Sequence, residues 1–334
     1  MKKILITGAG GFIGSHVVNH LLADGEKPER LRLLISENST IDKLFTTPLE
    51  IVRGDIRNKA FVKKAVEGVE IIYHVAALSG LKGKTYRDYK EVNVDGTQNL
   101  LDASSKNKLQ KFVFFSTIAV YGLPAWTGDI INWDETHKKT YSEIYGQSKY
   151  EAEKRVLKLY DRVKMPYTII RPTSVYGPRD KGQLYELYRA IKNHTFVMIG
   201  NGKNKMDYVF VKDLVKGARL AQQSSSQASE YILGGDQPIE FSSIVRFVAR
   251  SIDTKIFPLS IPTSLGLALA NITQGVAKIM GIQAPLFPTR VRVMTTNYYY
   301  SIRKAKKELN YRPAVSFEKG TMVTGNWYLK HQYL

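Results

Sequence analysis

The chain has no cysteine in its 334 residues. That excludes a disulfide framework and any thiolate-bound zinc, and it fits a reducing compartment. Long apolar runs are also missing. No stretch of about 18 uninterrupted apolar residues occurs, so a spanning helix is not expected. The first apolar run, Ile4–Ile6, is too short for the core of a secretory signal. There is no internal repeat, and the one low-complexity segment, Gln222–Ser229, reads as a flexible loop. His16 and His74 have no carboxylate or cysteine at metal-ligand spacing, so both read as structural and no metal site is expected. Acidic residues are in short supply: Lys+Arg 49 against Asp+Glu 30 leaves a net charge of +19. Such an excess gives a basic soluble surface, and it attracts anionic lipid and other polyanions. No zinc finger or aromatic RNA-binding pattern accompanies it, so no specific nucleic-acid partner is expected. The composition points to a cytoplasmic protein whose contact with an anionic membrane, if made, is peripheral.

What is present is a rhythm. Lys3–Thr7 reads as a short buried strand, glycines follow at 8, 11 and 14, and Ser15–Ala23 is helical. Further strands are expected at Leu31–Ile35, Glu50–Arg53, Ile71–Val75, Phe112–Ser116 and Tyr167–Arg171. Helices are expected at Phe61–Glu67, Tyr86–Ser105 and Tyr141–Leu159. Alternation of this kind predicts an α/β fold: a Rossmann-like, doubly wound parallel sheet with helices on both faces. After Pro172 prolines and short elements dominate. Residues 1–175, joined by part of 206–235, are expected to form the dinucleotide-binding domain. Residues 176–205 and 236–334 are expected to form a smaller, irregular α+β substrate lobe on the C-terminal side.

The glycines carry the first functional expectation. Directly after a strand and opening a helix, Gly8, Gly11 and Gly14 let the backbone turn tightly and approach a pyrophosphate at the helix N-terminus, with Phe12 and Ile13 beside it. Asp55, after a strand and followed by Ile56, suits an adenine amino group, or else a plain turn. Ser36 stands where the ribose is discriminated, with Glu37 next to it, so NAD and NADP both remain open.

Tyr145 and Lys149 are four residues apart and share a helix face. An ammonium beside a phenol favours the phenolate, which makes the tyrosine a usable acid/base. The same spacing also occurs on solvated helix faces. Its context decides its meaning.

Taken together, the motifs resemble those of the extended short-chain dehydrogenase/reductase, or NAD-dependent epimerase/dehydratase, superfamily. They run in order through Gly54-Asp55, Val75-Ala76-Ala77, Asn93-Val94-Asp95-Gly96-Thr97, Ser116-Thr117, Val120-Tyr121-Gly122, Tyr145 with Lys149, Arg171-Pro172, Val175-Tyr176-Gly177-Pro178 and Asp207-Tyr208. The resemblance implies that Tyr145 is the general acid/base and that Lys149 lowers its pKa and holds the nicotinamide ribose. It implies that Thr117, not Ser116, bonds the reacting oxygen, and that Asn93 organises active-site water or backbone. Ala76, Ala77, Pro172 and Val175 would line the cofactor. Ser79, Tyr121, Arg179, Met206 and Tyr208 are the expected substrate contacts. Homodimerisation through the helices at Tyr86–Ser105 and Tyr141–Leu159 is a further implication.

Within the superfamily the chain is more similar to the 3β-hydroxysteroid and sterol dehydrogenase and dihydroflavonol-reductase-like branch. Gly177-Pro178-Arg179-Asp180, Ile199-Gly200-Asn201-Gly202-Lys203-Asn204 and the tail Lys304–Pro313 carry that likeness. Nucleotide-sugar members usually place an arginine just before Asp207-Tyr208. Here it is Met206, although Lys203, Lys205 or Arg290 could substitute. The expected activity is interconversion of a secondary alcohol and a ketone on a bulky apolar, sterol- or lipid-like substrate. The alternatives are a nucleotide-sugar 4-epimerase or dehydratase with retained NAD, and a non-catalytic dinucleotide-binding sensor. A helix at about 262–283 repeats Leu265, Leu269, Ile272, Val276, Ile279 and Met280 at helical steps. It is expected to pack on its own lobe, on a dimer partner, or on a membrane surface.

Overall fold

The computed structural model describes the chain apart from residues 40, 42, 43, 80–83, 123–131, 258, 281–285, 287 and 298, and apart from the side chains of 290 and 293. Its centre is a seven-stranded, wholly parallel sheet. The strands are β1 (Lys3–Thr7), β2 (Leu31–Ile35), β3 (Glu50–Arg53), β4 (Val69–His74), β5 (Lys111–Phe115), β6 (Tyr167–Pro172) and β7 (Ala228–Leu233). Their order across the sheet is β7-β6-β5-β4-β1-β2-β3. Strands buried on both faces must be apolar along their whole length rather than alternating, and Ile-Leu-Ile in β1 and Phe-Val-Phe-Phe in β5 obey this. The order reverses between β1 and β4, which opens a crevice at their carboxyl ends.

Four helices cover the two faces of the sheet: α1 (Phe12–Ala23) and α4 (Val211–Gln223) on one, α2 (Gly96–Ser104) and α3 (Ile144–Val163) on the other. The long helix expected at Tyr86–Ser105 is helical without a break to Ser104, but its hydrogen-bond pattern changes along it. Tyr86–Tyr89 is α-helical, Lys90–Asp95 is a π-helical turn, and α2 follows. Gln222–Ser229 is not one loop either. Gln222 and Gln223 end α4, and Ala228 and Ser229 begin the edge strand β7. The second half adds α5 (Phe241–Ser251), α6 (Thr263–Met280), α7 (Pro288–Thr295) and α8 (Phe317–Lys330). One apolar core runs from Ile4 and Ile6 through Tyr208 and Phe241 to Phe317 and Tyr328, so α5 and α8 pack continuously with the sheet, while α6 and α7 bury Ala270 and Val291 in a separate small cluster with Ile199.

Candidate active site

The glycine turn is built for close approach. Gly8 has φ +68°, and a Cβ there would lie 2.8 Å from the Ala76 amide nitrogen. At Gly14 a Cβ would fall 2.1 Å from the Gly8 carbonyl oxygen, so helix α1 can sit this near β1 only without a side chain. Helix α1 begins after Gly11 with no side-chain cap, which leaves its first amide donors to a ligand; Phe12 and Ile13 supply that turn. A cradle that any Cβ would fill, at an uncapped helix start, fits a pyrophosphate.

Arg179, expected among the substrate contacts, lies here instead. Its guanidinium donates to the Gly10 carbonyl at 3.0 Å and to the Ser15 hydroxyl. Burial lowers its pKa. It brings a cation to the turn, and His16, 3.0 Å from the Pro178 carbonyl oxygen, helps pin that segment to α1.

Around the turn, Ser36 is exposed at the end of β2 and shares a 2.7 Å hydrogen bond with Ser39. Asp55 accepts from the Arg57 amide at 2.8 Å and from its guanidinium at 2.6 and 2.8 Å. Those bonds hold the Asp55 carboxyl below its usual range. Ile56 is buried against Gly96. Ala76 and Ala77 continue β4 into the crevice half-buried, and Ser79 is exposed beyond them. Pro172 closes β6, and Val175 lies on the short strand Ser174–Tyr176.

The residues expected to move the proton meet at the start of α3. Tyr145 is in its first turn, with its ring centroid 6.3 Å from that of Tyr89. Burial pushes the phenol up to about 12, Tyr89 adds to the rise, and a hydrogen bond from Thr117 opposes it. Thr117 itself caps the turn Ile118–Tyr121, its hydroxyl accepting from the Ala119 amide at 3.1 Å. Lys149, one helical turn further and only 1% exposed, has its ammonium 4.2 Å from the Phe114 ring centroid. Burial pulls its pKa down to about 7, and Glu153 opposes that fall. Tyrosine–lysine spacing implied a lowered phenol pKa. Here desolvation is larger and raises it.

Below them runs a chain of hydrogen bonds. The Ala76 amide donates to the Thr7 hydroxyl at 3.1 Å, and that hydroxyl is 2.8 Å from His74 Nδ1. His74 Nε2 is 2.9 Å from the Thr97 hydroxyl, which donates to the Asn93 carbonyl at 2.6 Å. With the Thr97 proton committed to a carbonyl, its oxygen accepts from His74, which fixes the neutral Nε2–H tautomer. Burial, and next the charge of Lys149, drive the His74 pKa well below its ordinary value, which agrees. The Asn93 side chain accepts from the Leu78 amide at 2.7 Å and donates to the Leu78 carbonyl at 3.0 Å and to the Ser148 hydroxyl at 2.9 Å. Asn93 thus ties the β4 loop to the Tyr145 helix.

A second network lies further along α3. Arg171, fully buried, donates through Nε and Nη2 to the two Glu153 oxygens at 2.8 and 2.9 Å. Its Nη1 donates to the Tyr121 hydroxyl at 3.0 Å, and Glu230 is a further partner. Ser116, the other hydroxyl of its motif, donates to Glu153 at 2.6 Å. Sequence reading missed Glu153. The signal was there: it stands one more turn beyond Lys149 on the same face.

Three expected substrate contacts lie in the packed core: Tyr121 is buried and sits against Arg171, Met206 pairs with Ile239 across a short two-stranded ladder, and the Tyr208 ring meets Tyr176 edge-on and Phe317 at a tilt. The side chain of Arg290 lies outside the described residues. An open depression of about 630 Å³, lined among others by Glu135, Glu230, Arg303 and Lys304, contains none of the residues expected to bind the dinucleotide or to move the proton.

Fold and site together define a dinucleotide-binding α/β protein with a half-buried tyrosine one helical turn from a buried lysine. The chain belongs to the NAD dependent epimerase/dehydratase family, whose pattern matches residues 4–234, and so to the NAD-dependent enzymes of the extended short-chain type. It is 29% identical to a 3-beta-hydroxysteroid dehydrogenase of Mycolicibacterium neoaurum, over 96% of this chain and 89% of that one. It is 28% identical to the N-acetyl-alpha-D-glucosaminyl-diphospho-ditrans,octacis-undecaprenol 4-epimerase of Escherichia coli O157:H7, over 87% and 84%. The fold matches the UDP-glucuronic acid 4-epimerase of Bacillus cereus, solved with NAD, at a TM-score of 0.78, 23% identity and coverage of 99% and 100%.

Proposed function

We propose that the protein interconverts a secondary alcohol and a ketone on a bulky apolar substrate, with Tyr145 as general acid/base. NAD, when bound, supplies or accepts the hydride. Tyr145 exchanges the proton of the reacting oxygen, Thr117 bonds that oxygen, and Lys149 holds a positive charge one turn away. The glycine turn and Arg179 orient the dinucleotide. The reading is carried by Met206. A buried thioether stands where nucleotide-sugar enzymes of the family usually place a diphosphate-binding arginine, and each lost charge-assisted contact forfeits about 1.5–3 kcal/mol. The steroid-dehydrogenase relative supports the same reading. The working form belonging to it is a homodimer that meets substrate at an anionic membrane surface.

The test compares turnover of sterols with that of nucleotide sugars, together with Tyr145→Phe. Wild-type protein is expected to oxidise a sterol or other apolar secondary alcohol with stoichiometric reduction of cofactor. Tyr145→Phe should lose at least ~100-fold in kcat with dinucleotide affinity nearly unchanged. Full activity in the variant removes the acid/base assignment.

A second reading is favoured by the Escherichia coli relative, whose named substrate is a diphospho-sugar on a polyprenol. Lys203 and Lys205, just before Met206 in sequence, are cations available to a diphosphate. Redox-neutral epimerisation of such a lipid-linked sugar, without net cofactor reduction, would replace the first reading.

A further inference from the structure

Helix α6 is built inside out. The residues it buries are small: Gly266, Ala270 and Ala277. A Cβ at Gly266 would meet the Ile199 side chain at 2.6 Å, and Ala270 packs with Ile199 and Val291. Thr273 fastens the helix by donating to the Leu286 carbonyl at 2.6 Å. The large apolar residues form a different stripe, and it faces solvent. Leu265, Leu269 and Val276 are exposed, and Ile272, Ile279 and Met280 are 62%, 89% and 63% exposed. Phe257 and Leu259, just before the helix, are exposed as well. The stripe runs along an 18-residue helix, about 27 Å long at 1.5 Å per residue. Exposed apolar surface on this scale marks an interaction site. No described helix is long and apolar enough to cross a membrane, so a bilayer occupant would be met from its surface.

We infer that this stripe, with Phe257 and Leu259, docks α6 in the plane of an anionic bilayer. The choice of occupant rests on charge. From Thr254 to Lys307 the chain contains no Asp or Glu, while Lys255, Lys278, Arg292, Arg303 and Lys304 all fall within it. An apolar stripe set in an acid-free, basic segment is complementary to a surface that is apolar below and negative at its head groups. A second copy of the chain fits worse, because a two-fold contact through this face would bring two acid-free segments together. The inference names the surface behind the membrane encounter proposed above, and it rests on α6 rather than on the catalytic reading.

The experiment is co-sedimentation at low salt with vesicles of phosphatidylglycerol and phosphatidylcholine, and with phosphatidylcholine alone. Wild-type protein is expected to bind the anionic vesicles and to leave them as salt rises. Ile272→Glu with Ile279→Glu should lower the partition coefficient by about tenfold or more, and the milder Ile272→Ser with Ile279→Ser should fall between. Both positions are solvent-facing, so turnover of a water-soluble secondary alcohol should stay unchanged in each variant. Absence of wild-type binding, or equal partition of the glutamate variant, overturns the inference. So does a lipid-free dimer that either variant converts to monomer. If wild-type binds vesicles but turns over no apolar alcohol, the substrate reading fails and the docking surface stands.

Discussion

At the scale of single residues, the chemistry depends on charges kept out of water. Lys149 at about 7 is neutral above that pH, so activity that needs its ammonium is lost as pH rises through its pKa. Glu153 is what holds the ammonium up against burial. Glu153→Gln should therefore move the alkaline fall of the pH–rate profile to lower pH. It should also cost roughly 3 kcal/mol in urea unfolding, because the buried Arg171 loses its bidentate carboxylate. An unmoved profile with only the stability loss would reduce Glu153 to a structural partner. Asp180 offers a test of opposite sense. Burial raises its carboxyl to about 7, and the Gly182 amide at 2.7 Å only partly compensates. A carboxyl raised from 3.8 to about 7 favours folding in its protonated form, so that contribution is present below the unfolded value and is lost between the two. Asp180→Asn should be more stable than wild type at pH 8, by up to about 4 kcal/mol, with the advantage nearly gone at pH 4. Melting temperatures at the two pH values decide it.

At the scale of elements, what the sequence made legible had a local cause. Strands β1, β2 and β5 could be placed because continuous apolar runs have few other uses, and the glycine turn could be placed because position and spacing coincide. Tyr145 and Lys149 could be paired because four residues make one helical turn. The π turn at Lys90–Asp95 was not legible, since one extra residue in a turn leaves composition and periodicity almost unchanged. The burial of Tyr121, Met206 and Tyr208 was hidden because an aromatic-rich motif reads the same lining a cleft or filling a core. The pattern of α6 is amphipathic, but pattern alone does not say that its small residues face inward. The π turn carries its own prediction. It presents Asn93 to both the Leu78 backbone and Ser148. Asn93→Ala leaves those groups unpaired, which should cost about 1–3 kcal/mol and lower kcat more than it raises KM, since the β4 loop and the Tyr145 helix lose their tie. A normal kcat at normal stability would show that the tie is idle.

At the scale of the whole molecule, a net charge of +19 acts on every anion that approaches, and a dinucleotide is one. Two contributions must be separated. The long-range field speeds encounter and is screened over a Debye length of about 10 Å at 0.1 M salt. The local contribution, in the proposed reading, is that of Arg179, whose guanidinium lies on the glycine turn and donates to the Gly10 carbonyl. Part-buried contacts of that kind are screened far less. Raising salt from about 10 mM to about 300 mM should therefore lower kcat/KM for the dinucleotide by roughly 3–10-fold while kcat holds, because Lys149 is buried and Tyr145 half-buried, where screening is weaker. Arg179→Gln should weaken dinucleotide binding at every salt concentration, by about tenfold, and leave the slope against salt nearly as it was. Stopped-flow association of NADH over the salt series, in both proteins, distinguishes the two. A flat salt dependence in wild type would mean that the excess charge faces away from the crevice. A slope abolished by Arg179→Gln would mean that one side chain, and not the field of the whole molecule, draws the cofactor in.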